Sequence, residues 1–139
     1  MGLRRRRIKA LAFGVVALAY ACLISYASSM TDTPELVSPL FFGSDKLAHF
    51  VEFWVMGALL FLTFAFADLR PWDSVIAVTL GAAYGIVDEY HQSFVPGRTA
   101  DPIDAAVNVL GVLVAVALLM YVQRRLYPAQ SPASAWGPP

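Results

Sequence analysis

Charge is what this sequence has least of. Charged residues fill 14% of the 139 positions, hydrophobic residues fill 58%, and mean hydropathy is +0.61. A soluble domain carries about 25% charged and roughly 45–50% apolar residues. Acids and bases balance to a formal net charge of zero, so the basic footprint of a nucleic-acid partner is missing and none is expected. A single cysteine, Cys22, excludes an internal disulfide. There are only two histidines, His49 and His91, and no internal repeat is evident.

The apolar surplus is concentrated in four runs, about Ile8–Ala27, Leu47–Ala67, Trp72–Tyr90 and Ile103–Val122. A helix needs roughly 20 residues to cross a bilayer core, and each run reaches or nearly reaches that length. The fold expected is all-α: a four-helix transmembrane bundle with the lipid bilayer as its first partner. Lys and Arg accumulate on the cytoplasmic side of membrane proteins. Arg4 to Arg7 and Lys9 precede the first run, Arg70 separates the second and third, and Arg124 and Arg125 follow the fourth. Only Lys46 and Arg98 fall on the other side, so both termini are expected to be cytoplasmic. The location expected is a bacterial-type cytoplasmic (inner) membrane, crossed several times.

An Arg-rich start, an apolar stretch and Ala19-Tyr20-Ala21 also fit a cleaved leader, and Cys22 invites a lipoprotein reading. Ala19 and Tyr20 fit that pattern poorly, and the apolar run continues through Leu23, Ile24 and Tyr26. An uncleaved helix is favoured.

Residues 1–7 form a basic cytoplasmic tip, 8–126 the membrane domain, and 127–139 a tail whose Pro, Ala and Ser content predicts disorder. Ser28 to Gly43 is an expected outer loop, Asp68 to Pro71 a tight inner turn, and Gln92 to Ala100 a second outer loop around Pro96-Gly97. Gly81 and Gly85, and Ala10, Gly14, Ala17 and Ala21, are small residues at helical spacing. In lipid, close backbone approach substitutes for the missing hydrophobic drive between helices.

The few polar residues are not scattered. Asp45, His49 and Glu52 are spaced i, i+4, i+7, one face of the second helix. At 1.5 Å per residue, Glu52 lies roughly 10 Å deeper than Asp45, where an unpaired carboxylate costs several kcal/mol. Asp101, Asp104 and Asn108 repeat the pattern on the fourth helix, and the third ends in Asp88, Glu89, His91 and Gln92. None of these stripes can face lipid, so they are expected to face one another across a shared outer cavity, with Arg98 at its mouth.

Each residue also has a plainer role. Asp101 before Pro102 reads as a helix N-cap followed by an N1 proline. Asp45 suits a helix N-terminus, Lys46 can snorkel to the headgroups, and His91 can sit at the interface. Arg98 can pair with Asp101 or Glu89, or bind an anionic ligand through its planar fork. His49, Glu52, Asp88, Glu89, Asp104 and Asn108 are ionisable or polar groups within membrane depth, which makes them functional candidates. A fully satisfied structural network is the alternative.

These residues, in this order, resemble the VanZ-like family of small polytopic membrane proteins. The resemblance runs from about Asp45 to Gly111. It is carried by Asp45-Lys46 with His49, by Asp88-Glu89-Tyr90-His91-Gln92, by Phe94-Val95-Pro96-Gly97-Arg98, and by Asp101, Asp104, Asn108 and Gly111. Ala115 departs from it, standing where such helices often carry another glycine. The resemblance implies an antibiotic-resistance association, because the family's namesake is linked to resistance to the glycopeptide teicoplanin. It implies no molecular activity.

Two readings of function follow. In the first, His49, Glu52, Asp88, Glu89, Gln92, Arg98, Asp104 and Asn108 bind a polar cell-envelope ligand, such as a lipid-linked cell-wall precursor or a lipid headgroup. Arg98 takes an anionic group and the acids take hydroxyls, amines or a cation. In the second, a membrane-embedded hydrolase or transferase uses Glu52, Glu89 or Asp104 as base, with His49 or His91 shuttling protons. No Ser, Thr or Cys lies in the three stripes, which argues against an acyl-enzyme and leaves activated water. His49 and Glu52 at i, i+3 are suggestive of a metal pair that Asp88, Glu89, His91 and Asp104 could complete, but the spacing is no metal signature; no metal is assigned and the cofactor is unknown. A transporter is disfavoured by the apolar inner half.

Overall fold

The computed structural model describes residues 2–30 and 44–126, which form four helices: α1 (Leu3–Ser28), α2 (Ser44–Ala67), α3 (Asp73–Gln92) and α4 (Pro102–Leu126). No strand occurs among the described residues. The expected outer loop beyond Met30 and the expected tail from position 127 lie outside them.

Three helices, α1, α2 and α4, are long and apolar enough to cross a membrane. The helix α3 is not among them. Its 20 residues would span roughly 30 Å, but Asp73 at one end and Asp88, Glu89, His91 and Gln92 at the other leave only a short apolar middle.

Side-chain pairs set the helix directions. Arg6 reaches Asp68 Oδ2 at 2.8 Å, placing the start of α1 beside the α2–α3 turn. Ser28 Oγ donates to Asp88 at 2.8 Å, so α1 and α3 run the same way. Lys46 Nζ bonds Asp101 and Asp104, so α2 and α4 do likewise. The chain therefore runs up, down, up, down. The tip expected to precede the first helix is in fact its first turn: helix formation needs only satisfied backbone, and arginine is a good helix former.

The helices meet through glycines. A Cβ added to Gly111 on α4 would lie 2.5 Å from Phe50 O and 3.0 Å from Trp54 N, both backbone atoms of α2. Gly57 of α2 faces Val112 Cα at 2.9 Å by the same measure, and Gly81 and Gly85 of α3 receive Val112 and Asn108. Ala115 is fully buried, and the glycine at that crossing, Gly57, comes from the facing helix. Ile24, Phe53, Met56, Phe61, Ala77, Val112 and Val116 form the core.

The outside is apolar too. Leu11, Val15, Leu18, Val75, Leu80, Ile86, Leu110, Leu113 and Leu118 are all exposed. Monomeric soluble proteins rarely present contiguous apolar surface on this scale; lipid is the solvent that suits it.

Candidate functional site

At the end where α1 and α3 finish and α2 and α4 begin, polar groups from all four helices converge. Asp88 is buried and held on both oxygens: Ser28 Oγ donates to Oδ1 at 2.8 Å, and Gln92 Nε2 to Oδ2 at 3.1 Å. Ser28 belongs to α1, one residue past the expected end of the first run. It was outside the polar stripes read from sequence, and only its position beside an apolar run hinted at it.

The helix α4 starts as its sequence dictates. Asp101 Oδ1 accepts the Ile103 N–H at 2.8 Å, and the Asp101 carbonyl accepts from Asp104 and Ala105. That is an N-cap with proline at N1. The Ile103 N–H and then Lys46 hold the Asp101 carboxyl below its ordinary value of 3.8. Lys46 does not simply snorkel: its ammonium sits 2.6 Å from Asp104 Oδ1 and 3.1 Å from Asp101 Oδ2, clamping α2 to α4. Asp45, on the same stretch, is exposed and only 3.8 Å from Lys46.

Glu89 is the hinge of the arrangement. It is 5% exposed, and its Oε2 accepts the Asp101 N–H at 3.1 Å, tying the end of α3 to the cap of α4. Its Oε1 faces His49 Nδ1 of α2 at 3.9 Å. Both atoms are buried without a hydrogen-bond partner among the described residues. His49, Glu89 and Asp104 each bring one ligating atom within 4.8 Å of the others. Of the residues that could complete a site around His49, Glu89 and Asp104 come together with it from three helices, and Glu52 is outside that set. Glu52 is half-buried one turn below His49, with no hydrogen bond among the described residues.

Asn108 is fully buried beneath, where its Nδ2 donates to Gly85 O at 3.3 Å while Oδ1 has no described partner. Arg98 is placed by the loop sequence. Val95-Pro96-Gly97-Arg98 closes with the Arg98 N–H on Val95 O at 3.1 Å, and Gly97 has φ 83, the signature of a type II turn with Pro and Gly at its centre. Arg98 Nε donates to Met30 O at 3.4 Å, and the side chain pairs with neither Asp101 nor Glu89. Its terminal nitrogens have no acid partner among the described residues.

His91 is exposed, its Nε2 3.0 Å from Ser29 Oγ. Ser29 gives its own proton to Ser25 O at 2.7 Å, so His91 is the donor of that pair and does not activate the hydroxyl. Tyr84 O–H donates to Ala21 O at 2.6 Å, a further α1–α3 tether. At the opposite end a buried acid, Asp73, leaves Oδ1 unpartnered beside Arg70 and Arg124, which line a cavity of about 280 Å³ with it. Nothing in the sequence pattern had singled it out.

Comparison with known proteins agrees with the motifs. The family model described as VanZ/LLP1 matches residues 13–123. An uncharacterized protein of Schizosaccharomyces pombe is 31% identical over 121 residues, covering 86% of this chain and 68% of that protein. No solved structure matches. The chain is a member of the VanZ/LLP1 family.

Proposed function

We propose that this chain crosses a bacterial-type cytoplasmic membrane four times with both ends inside, and that its outer polar end binds a polar envelope ligand, a lipid headgroup foremost. One observation carries the reading. A half-buried arginine without an acid partner stands at the end where Glu89 Oε1, His49 Nδ1 and Asn108 Oδ1 are buried and unpaired. Buried polar atoms without partners cost about 1–3 kcal/mol each, a cost a bound ligand would remove. Arg98 takes the anionic group through its planar fork. Asp88 and Gln92 brace the wall, Asn108 forms the floor, and Glu52, Glu89 and Asp104 receive hydroxyls, amines or a cation.

The test is thermal stability of the detergent-purified chain against short-chain phospholipids of anionic and zwitterionic headgroup and against a polyprenyl pyrophosphate. A ligand at about 100 times its Kd should add roughly 2.7 kcal/mol, and Arg98→Ala should erase the gain. A shift unchanged in Arg98→Ala would refute the site. A link to glycopeptide resistance is tested apart, as teicoplanin susceptibility of a bacterial host with and without the chain.

A second reading is favoured by the His49–Glu89–Asp104 convergence: hydrolysis or group transfer by water activated there. In it Glu89 or Asp104 takes the proton, and Arg98 steadies the charge that develops. Turnover lost in Glu89→Gln with headgroup binding retained would select this reading.

A further inference from the structure

We infer that His49, Glu89 and Asp104 form a binding site for a divalent first-row cation, with Zn2+ the best match. One ring nitrogen and one oxygen from each carboxylate lie within 4.8 Å of one another. They come from α2, α3 and α4, so the fold itself assembles the set.

The independent observation is the pair of orphaned atoms. Glu89 is 5% exposed, and its Oε1 faces His49 Nδ1 at 3.9 Å, neither atom having a hydrogen-bond partner among the described residues. A proton on Nδ1 does not resolve this, because 3.9 Å is beyond the roughly 3.2 Å limit of an N–H···O bond. A bridging water would serve the two orphaned atoms alone and leave Asp104 out of the contact. A cation accepts lone pairs from all three. Bonds of about 2.0–2.2 Å from zinc to nitrogen or oxygen place two tetrahedral ligands roughly 3.4 Å apart. Closing 3.9 Å to that value takes about half an ångström, and a separation at the 4.8 Å bound of the set takes about 1.4 Å, both within the reach of side-chain torsions.

Charge favours the same ion. Lys46 neutralises Asp101 and holds Oδ1 of Asp104. Three acids, Asp101, Asp104 and Glu89, thus share one ammonium, an excess of acid that a divalent ion would balance. The Asp101 N–H fixes Glu89 through Oε2 and the Lys46 ammonium fixes Asp104 through Oδ1, anchoring both carboxylates as outer partners of metal ligands do. Three protein ligands of nitrogen and oxygen leave a fourth position open, the pattern of zinc sites that bind water or substrate. That position faces the same polar end as the headgroup reading, so the experiment keeps the two apart.

The full chain, purified in detergent and stripped with chelator, is titrated with ZnCl2 and separately with MnCl2, and bound metal is measured by mass spectrometry. One equivalent per chain is expected. Glu89→Gln, Asp104→Asn and His49→Ala should each weaken binding by at least about 10-fold, while Arg98→Ala should keep it. Zinc-edge absorption should show one imidazole among oxygen donors. Circular dichroism and size exclusion report whether each variant folds. No bound metal in the folded wild type, or undiminished binding in folded Glu89→Gln and Asp104→Asn, overturns the inference. Headgroup binding without metal overturns it alone; metal without headgroup binding overturns only the reading above.

Discussion

Gly111→Ala is the sharpest probe of how this fold holds its polar end together. The added methyl would sit 2.5 Å from Phe50 O and 3.0 Å from Trp54 N. Both are backbone of α2, which cannot rotate away as a side chain can. Ordinary carbon–oxygen approach is about 3.3 Å, so α4 must withdraw from α2 by roughly 0.8 Å. A gap of that size forfeits a quarter to a half of each van der Waals well along the seam, where Val112, Ala115 and Val116 are buried. Overpacking of this kind costs about 1–3 kcal/mol. Opposing it, alanine is the better helix former by up to about 1 kcal/mol. The clash wins, leaving a net loss of about 1–2 kcal/mol.

Gly14→Ala separates the two effects. Its added methyl meets only Thr63 Cγ2 at 3.5 Å, ordinary contact, so helix propensity acts without a clash. Thermal unfolding in mild detergent, followed by tryptophan fluorescence, should lower the Tm of Gly111→Ala by roughly 3–8 °C and leave Gly14→Ala level or slightly raised. The consequence reaches the site. Asp104 stands two turns above Gly111, so a wedge between α2 and α4 also strains the 2.6 Å Lys46–Asp104 contact. Equal Tm values for both variants and wild type would refute the tight α2–α4 seam.

Three further outcomes are expected. Ser28→Ala removes a buried donor from Asp88; interhelical hydrogen bonds in membranes are worth about 0.6–1.7 kcal/mol, and the charged acceptor puts this one near the top, readable as a lower unfolding midpoint. Gly97→Ala meets no neighbour within 4 Å, so its cost is the left-handed backbone alone, about 1–2 kcal/mol; the fold should survive in circular dichroism while headgroup affinity falls, because the turn that places Arg98 opens. Asp101→Asn keeps a capping oxygen and removes a titration. The wild-type carboxyl is held below 3.8 by the Ile103 N–H and then Lys46, so its contribution is present above that pH and is lost as pH falls through the lower folded value; the variant should show a flatter stability curve below about pH 4.

Periodicity carried the sequence reading far, and its failures have identifiable causes. The stripes on α2, α3 and α4 do meet at one end, because charged side chains avoid the apolar faces these helices turn outward. The motif resemblance is matched by the family model across residues 13–123. A stripe is wider than a contact, however. Asp45 and His49 share a face, yet Asp45 is exposed while His49 turns inward to Glu89. Lys46 illustrates a second limit: sequence shows a charge but not the reach of a four-carbon stem across to α4. Ser28 illustrates a third, since nothing local distinguishes the last helical turn from the loop when no glycine or proline marks the stop. Asp73 was missed for a fourth reason: a lone acid at the start of α3 belongs to no stripe.

The polar end divides into groups that are satisfied and groups that are not, and the division follows a pattern. Ser28, Asp88 and Gln92 close on themselves, as do Lys46, Asp101 and the cap of α4. Each closed set joins two helices, α1 to α3 and α2 to α4. Two of the three unsatisfied atoms here, His49 Nδ1 and Glu89 Oε1, lie at the contact of α2 with α3, where no such clamp exists among the described residues; the third, Asn108 Oδ1, lies beneath them on α4. Structural networks that rigidify a bundle lose stability with every unpaired member, so selection for stability alone would have closed this pair or replaced it with apolar residues. The neighbouring acids are pinned in place by the closed sets, which holds the open pair ready for a partner from outside the chain. If His49 and Glu89 served only packing, a joint His49→Leu and Glu89→Met replacement should stabilise the chain and leave every ligand response intact. We expect the opposite split: unfolding resistance level or improved, ligand response gone.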